Sequence, residues 1–388
     1  MHALEGRLSR ILSDHRAANR LRTVEANSTA QGRLINIGDR ALLNFSSNDY
    51  LGLSAHPAVC EAAREGVGRY GVGSGASALL SGRSTVHCEL ERRLASFLKR
   101  DRALVYSSGY MANLGVIGAL IGRHDHVYHD RLNHASLIDA VALCRAAHTR
   151  YPHCDIRALE AALSESHAGG RWIITDTVFS MDGDLAPLDQ LARLAAAHEA
   201  VFIGDDAHGF GVVAQGRGAS AAFGLGQDDL PILIVTFGKA LGTAGAAVVG
   251  SDRLIDALIQ RSRTFIYDTA PPPAIAAATI AALDLLAGDG ALHRALAENI
   301  AYFRSRAATL PLLESTTPIQ PVLVGEDSAA LAIAAKLREA GIYARAIRPP
   351  TVPAGTARLR ICISAAHTKA DIDALVTALA GAFAQNAA

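Results

Sequence analysis

The chain has 388 residues, with Lys+Arg and Asp+Glu both totalling 37 and half of the residues hydrophobic. This length exceeds one minimal core and implies two packed units. The zero net charge excludes a general nucleic-acid binder, and the apolar content excludes a disordered chain.

Leu4, Leu8, Ile11 and Leu12, continued by Leu21, recur on a helical period among Arg and Asp, which predicts an N-terminal amphipathic helix. Residues 1–45 therefore read as an N-terminal helical segment with a polar stretch over 27–39. Glu5, Arg7 and Arg10 interrupt the apolar run that a signal peptide needs. From Leu42 short apolar runs alternate with helical patterns: Leu104-Val105-Tyr106, Trp172-Ile173-Ile174, Val201-Phe202-Ile203, Ile232 to Val235 and Ala247-Val248-Val249 read as buried strands. Such alternation predicts an α/β domain over 46–288 with a parallel sheet covered on both faces. The apolar stretch Ala274 to Ala287 is broken by Asp284 and falls short of the roughly 20 residues of a membrane span. Past residue 289 the pattern becomes α+β. Strands are expected over 319–324, 342–347 and 358–364. A helix over 328–340 ends at Gly341, and a last helix opens on the capping pair Thr368 and Asp371. The five cysteines are scattered with no CxxC pair, which suggests neither a disulfide framework nor a Cys-rich zinc site and fits a reducing cytoplasm.

Lysine usage carries the sharpest chemical signal. Lys99, Lys336 and Lys369 lie on helical stretches as solvated charges, whereas Lys239 follows a buried run inside the tight turn Gly238 to Gly242. Desolvation there lowers an amine's pKa and makes it a nucleophile for a Schiff base; a structural ion pair is the other reading. A strand also ends in Asp205-Asp206-Ala207-His208, and ligands gather at the carboxyl ends of parallel strands. A carboxylate at that place suits the protonated nitrogen of a pyridine cofactor; the alternative is a helix cap by Asp206 with His208 packed. Ser107-Ser108-Gly109-Tyr110 stands between a strand and a helix, as a phosphate site or an ordinary turn. The glycine run Gly71 to Ala76 matches a dinucleotide fingerprint but follows Arg69-Tyr70, not a strand, so it reads as a loop. His124, His126, His129 and His134 have metal-like spacing without an HExxH helix, and a single functional His134 is preferred. Arg348 precedes the stiff Pro349-Pro350-Thr351 turn. Arg358 and Arg360 share one strand face, which for Arg358 is expected to be solvated.

Taken in order, Asn44 to Leu53, Gly73-Ser74-Gly75, Asn133-His134-Ala135-Ser136, Val178 to Asp184, Asp205 to Gly209, Thr236 to Lys239, Arg348 to Pro353 and Arg358-Leu359-Arg360 run through nearly the whole chain. This series closely resembles the α-oxoamine synthases, pyridoxal-phosphate (PLP) enzymes of the aspartate-aminotransferase fold. The resemblance implies fold type I, with a large mostly parallel-sheet domain and a smaller C-terminal α+β domain over 289–388. Lys239 would carry the cofactor, Asp205 would pair with its ring nitrogen and His134 would stack on the ring. Gly109, Tyr110 and Thr236 would hold the phosphate, while Ser180 and His208 would bond the phenolic oxygen or groups near it. Arg22, Asn48, Arg348, Thr351 and Arg360 would surround the substrates. Thr269 would reach a neighbouring subunit's phosphate site in a homodimer, although Asp268 beside it would repel a phosphate if turned inward.

The implied activity joins L-alanine to a pimeloyl thioester, on coenzyme A or an acyl-carrier protein, with loss of CO2, in the cytoplasm and on the route to biotin. Glycine C-acetyltransferase, 5-aminolevulinate synthase and serine palmitoyltransferase are the rivals within the family. From other classes, an NAD-dependent oxidoreductase rests on the glycine run and a metalloenzyme on the histidine spacing.

Overall fold

The computed structural model describes residues 2–387 apart from positions 166 and 168. The chain forms two compact units, Asn48–Ala295 and a second composed of the residues up to Ser47 with those from Leu296 onward. The N-terminal segment thus shares a unit with the C-terminal part of the chain.

In that second unit β1 (Leu34–Ile37) and β2 (Arg40–Asn44) form a hairpin. β1 lies inside the stretch read only as polar: its four residues alternate, with Ile35 and Ile37 buried beside Leu42, and this is too short a period to stand out in the sequence.

The larger unit holds a seven-stranded sheet of β3 (Arg102–Tyr106), β4 (His126–Asp130), β5 (Ala147–Tyr151), β6 (Arg171–Asp176), β7 (Ala200–Asp205), β8 (Ile232–Thr236) and β9 (Ala246–Gly250). The strand order is β3-β9-β8-β7-β6-β4-β5. β9 alone runs antiparallel to its neighbours in this sheet. β4, β8 and β9 are buried along their whole length, the signature of a sheet covered on both faces. One face packs against the helices Gly109–Leu120, Ala135–Cys144 and Asp252–Arg261 through Val116, Ile117, Leu137, Ile255 and Leu258. Each large aliphatic side chain removed from water there contributes about 1.5–3 kcal/mol. The apolar stretch after Pro271 becomes the buried helix Pro273–Leu286, packed on Pro57–Tyr70 and Thr85–Leu98. Among the described residues no single helix is long and apolar enough to cross a membrane.

Six strands point their carboxyl ends the same way, so the segments that leave β3, β4, β6, β7 and β8 at Tyr106, Asp130, Asp176, Asp205 and Thr236 meet along one edge. After β8 the chain turns sharply, with Gly242 donating its N–H to the Lys239 carbonyl at 2.9 Å.

The remaining strands are β10 (Ile319–Gly325), β11 (Ile342–Tyr343), β12 (Ala346–Ile347) and β13 (Ala357–Cys362). The single strand expected over 342–347 is two short ones, because β11 pairs with β2 while β12 pairs with β13 and the chain must pass between two sheets. The last helix opens as predicted, with Thr368 N–H on Asp371 Oδ2 at 2.8 Å and Asp371 N–H on Thr368 Oγ1 at 3.2 Å.

Gly242 has φ +67°, and a Cβ there would overlap the backbone of Leu53 and Ser54. Gly242→Ala is therefore expected to cost about 2–4 kcal/mol, from left-handed strain plus overpacking. Urea unfolding against wild type measures it.

Candidate active site

The strand ends of the larger unit enclose a cleft of about 340 Å³, lined among others by Gly109, His134, Ser180, Asp205, His208 and Lys239. Eight of the nine predicted cofactor residues, the six above with Tyr110 and Thr236, thus come to one place from five different strand ends. Lys239 is half-buried, with its turn closed beneath it.

Asp205 is held from two sides. Its Oδ2 accepts from the Asn113 amide at 2.7 Å, and its Oδ1 accepts from the Ala207 N–H at 3.0 Å. Asn113 also donates to Ser136 Oγ at 2.8 Å, tying the helix after β3 to the helix after β4. The motifs did not single out Asn113; its signal was only a polar residue on the apolar helix Gly109–Leu120.

A second buried carboxyl, Asp176, lines the same cleft and also escaped the sequence reading. Its Oδ2 accepts the His134 N–H at 2.6 Å. Complete burial, with Asp205 adding to it, pushes the Asp176 pKa well above the carboxyl range, against the pull of that N–H and of Lys239. The His134 pKa is lowered, chiefly because protein displaces water from the ring and secondarily by Lys239, while Asp205 pulls it up. A neutral imidazole can lie flat on an aromatic cofactor without bringing a charge.

His208 is buried, and its Nδ1 lies 2.8 Å from the Tyr50 hydroxyl, which donates to Asn48 Oδ1 at 3.1 Å. Asn48 thus reaches the site through Tyr50, which lay unmarked inside its own motif. Asp206 is not a free catalytic acid. It accepts from Thr177 Oγ1 at 2.5 Å and from the Ala219 N–H at 3.0 Å, so its carboxyl closes the loop after β7 while Asp205 and His208 face the cleft.

The helix Gly109–Leu120 begins at the cleft, capped by Ser108, whose Oγ accepts the Met111 N–H at 3.2 Å. A Cβ on Gly109 would stand 2.6 Å from Thr236 Cγ2, so only glycine leaves this helix start open to an anion. The Tyr110 hydroxyl donates to Asp139, and its ring stands edge-on to that of His134 at 6.4 Å. Asp268 accepts from Ser107 Oγ at 2.5 Å. Thr269 is exposed and bridges to Ser77; it does not line the cleft of its own chain.

The remaining substrate candidates, Arg22, Arg348, Thr351 and Arg360, belong to the other unit. Arg360 and Arg358 are both buried, which corrects the expectation of a solvated Arg358. β13 is the central strand of its sheet and is buried throughout; Arg358 folds back onto the Thr356 carbonyl at 3.0 Å and Thr356 Oγ1 at 3.1 Å. Of the spaced histidines, His126 bonds Thr149 Oγ1 at 2.8 Å and stacks on His167, and His129 is buried in β4. Only His134 reaches the cleft.

A fixed carboxylate, a lysine in the same cleft and an open helix start opposite Thr236 fit PLP in each of its parts: ring nitrogen, aldehyde and phosphate. Residues 40–379 match the aminotransferase class I and II family, and the chain belongs to this family, whose cofactor is PLP. It is 56% identical over 348 residues to the 8-amino-7-oxononanoate synthase of Methylococcus capsulatus, covering 89% of this chain and 90% of that one. The fold superposes on a serine palmitoyltransferase from S. paucimobilis with bound PLP–myriocin aldimine at a TM-score of 0.92, with 27% identity over 98% of this chain and 97% of the other. It also superposes on the 8-amino-7-oxononanoate synthase of Francisella tularensis at 0.79, with 29% identity over 89% and 99%.

Burial, opposed by the Thr177 and Ala219 donors, raises the Asp206 pKa to about 7. The folded state then binds this proton more tightly than the unfolded chain, so the stability it confers is complete below the ordinary carboxyl range near 3.8 and is lost as pH rises to about 7. Asp206→Asn should flatten the fall in unfolding free energy between pH 4 and pH 7, read from urea titrations of the cofactor-free protein.

Proposed function

We propose that this protein condenses L-alanine with a pimeloyl thioester, on coenzyme A or an acyl-carrier protein, releasing CO2 and free thiol and giving 8-amino-7-oxononanoate. The observation that carries the chemistry is Lys239 in one cleft with an Asp205 carboxylate fixed by Asn113 and Ala207. The relatives at about half identity over nearly the full chain support the choice of alanine and the pimeloyl group.

When bound, PLP supplies an electron sink that stabilises negative charge at the amino acid's Cα. Asp205 holds a proton on the ring nitrogen and so keeps that sink deep. Lys239 would hold the cofactor through its amine, and that amine would take the Cα proton and later return one. His134 lies against one ring face, where a neutral imidazole orients the ring. Ser180 and His208 bond the phenolic oxygen, with Tyr50 fixing the His208 ring at Nδ1. Backbone N–H groups at Gly109 and Tyr110, with Thr236, hold the phosphate. Arg22, Arg348 and Arg360, with Asn48 and Thr351, are assigned to the substrates, because a planar guanidinium suits a carboxylate.

We also propose a homodimer with shared sites. Leu79, Leu80 and Tyr267 are exposed at 50%, 82% and 72%. They lie on segments 78–82 and 263–267, which pack together. A second copy covering this face would place Thr269, which pairs with Ser77 beside it, at the neighbour's phosphate. Sedimentation equilibrium is expected to give twice the chain mass, and Leu80→Arg to shift it toward one. A cytoplasmic location suits the five free thiols.

Thiol release across a panel of amino acids and acyl thioesters should single out alanine with the pimeloyl donor; preference for glycine would overturn the assignment. Lys239→Ala is expected to lower turnover at least about 10³-fold and to remove the yellow colour that borohydride bleaches in the wild type.

A further inference from the structure

Outside the cleft, one charged cluster has a geometry that the reaction does not explain by itself. The His153 imidazole lies between two carboxylates, with Nδ1 3.0 Å from Asp130 Oδ1 and Nε2 2.8 Å from Asp184 Oδ2. Both ring nitrogens face acceptors, so both must carry protons and the ring is an imidazolium. Burial alone would lower its pKa, but the bonds to Asp130 and Asp184 carry it up to about 12. Asp130, His153 and Cys154 offer three donor atoms within 4.8 Å of one another, as a metal site does. Here the cation at the centre of the carboxylates is the ring itself.

Each carboxylate belongs to a segment that ends in the cleft. Asp130 closes β4, and its Oδ1 also accepts the Leu132 N–H at 2.7 Å, which shapes the turn leading through Asn133 to His134. Asp184 closes a tight turn after β6, in which the Phe179 N–H bonds the Asp184 carbonyl at 3.0 Å and the Gly183 N–H bonds the Phe179 carbonyl at 2.8 Å. Ser180 sits inside that turn. The His153 ring also meets Phe179 edge-on, with centroids 4.3 Å apart.

We propose that His153 is a positioning residue, whose imidazolium ties together the two turns that carry His134 and Ser180 into the cleft. The inference rests on the proposed function, in which those two side chains touch the cofactor. His153 itself does not line the cleft; it acts through Asp130 and Asp184, two like charges that would otherwise repel across the gap. Its side chain is 21% exposed, so a small cation from solvent can enter the space it leaves.

The test compares wild type, His153→Ala, Ser180→Ala and the double variant by PLP dissociation constant, from dialysis of the apoenzyme, and by visible circular dichroism of the bound cofactor. His153→Ala should weaken PLP about tenfold and diminish the dichroism, and added imidazole should restore both. In the Ser180→Ala background the same change should weaken PLP by only about twofold, since part of the effect runs through Ser180. Should His153→Ala not fold, His153→Gln keeps one donor and is expected to fall between the two. Unchanged PLP affinity and dichroism in a folded His153 variant would overturn the inference, as would a full tenfold loss in both backgrounds without imidazole rescue. If Ser180→Ala alone leaves PLP affinity unchanged, the assignment of Ser180 in the cleft is what fails. The His153 inference is then upheld by an imidazole-restorable loss of dichroism and overturned by its absence.

Discussion

The Asp205 carboxylate is fixed in place by the protein alone, and the rest of the site is arranged around that fact. A buried anion is costly unless donors meet it, and here Asn113 and the Ala207 N–H meet it from opposite sides. Those donors leave its charge directed at a single point in the cleft. Asn113 can reach it only because the helix Gly109–Leu120 packs on the sheet face beside β7, through the same Val116 and Ile117 that fill the core. Core packing and the placement of the Asp205 carboxylate are thus one construction.

The other ionisable groups nearby divide their roles by environment. Asp176 and Asp206 are as deeply buried as Asp205, yet burial raises their pKa values and they serve the scaffold, one bonding the His134 backbone and the other closing the loop after β7. Three carboxyls within one strand-end layer would be unstable if all were charged. Burial raises the pKa of two of them, Asp176 and Asp206, which eases that repulsion. His153, farther out, resolves the same problem for Asp130 and Asp184 by supplying a cation.

Most of the fold was legible because its signals are local. The buried strands at Ile232 to Val235 and Ala247 to Val249 are continuous apolar runs, and the cap at Thr368 and Asp371 is a fixed spacing. β1 and β5 were not legible. β1 has four alternating residues, and β5, at the sheet edge, is Ala-His-Thr-Arg-Tyr with most of its residues outside the core. The burial of Arg358 was missed for a related reason: a guanidinium reads as solvated until its strand is known to be the central one.

The sequence by itself determined the candidate groups that line the cleft, because a lysine in a turn after a buried strand, a carboxylate at a strand end and a glycine opening a helix are each defined by their immediate neighbours. Only the tertiary structure decided what surrounds each acid, and that the carboxyl pKa is raised at Asp176 and Asp206. That outcome depends on burial and on partners drawn from distant parts of the chain, such as Asn113 for Asp205 and Ala219 for Asp206. Charge on a buried group is set by the summed field and the water it has lost, and neither quantity exists until the chain has folded.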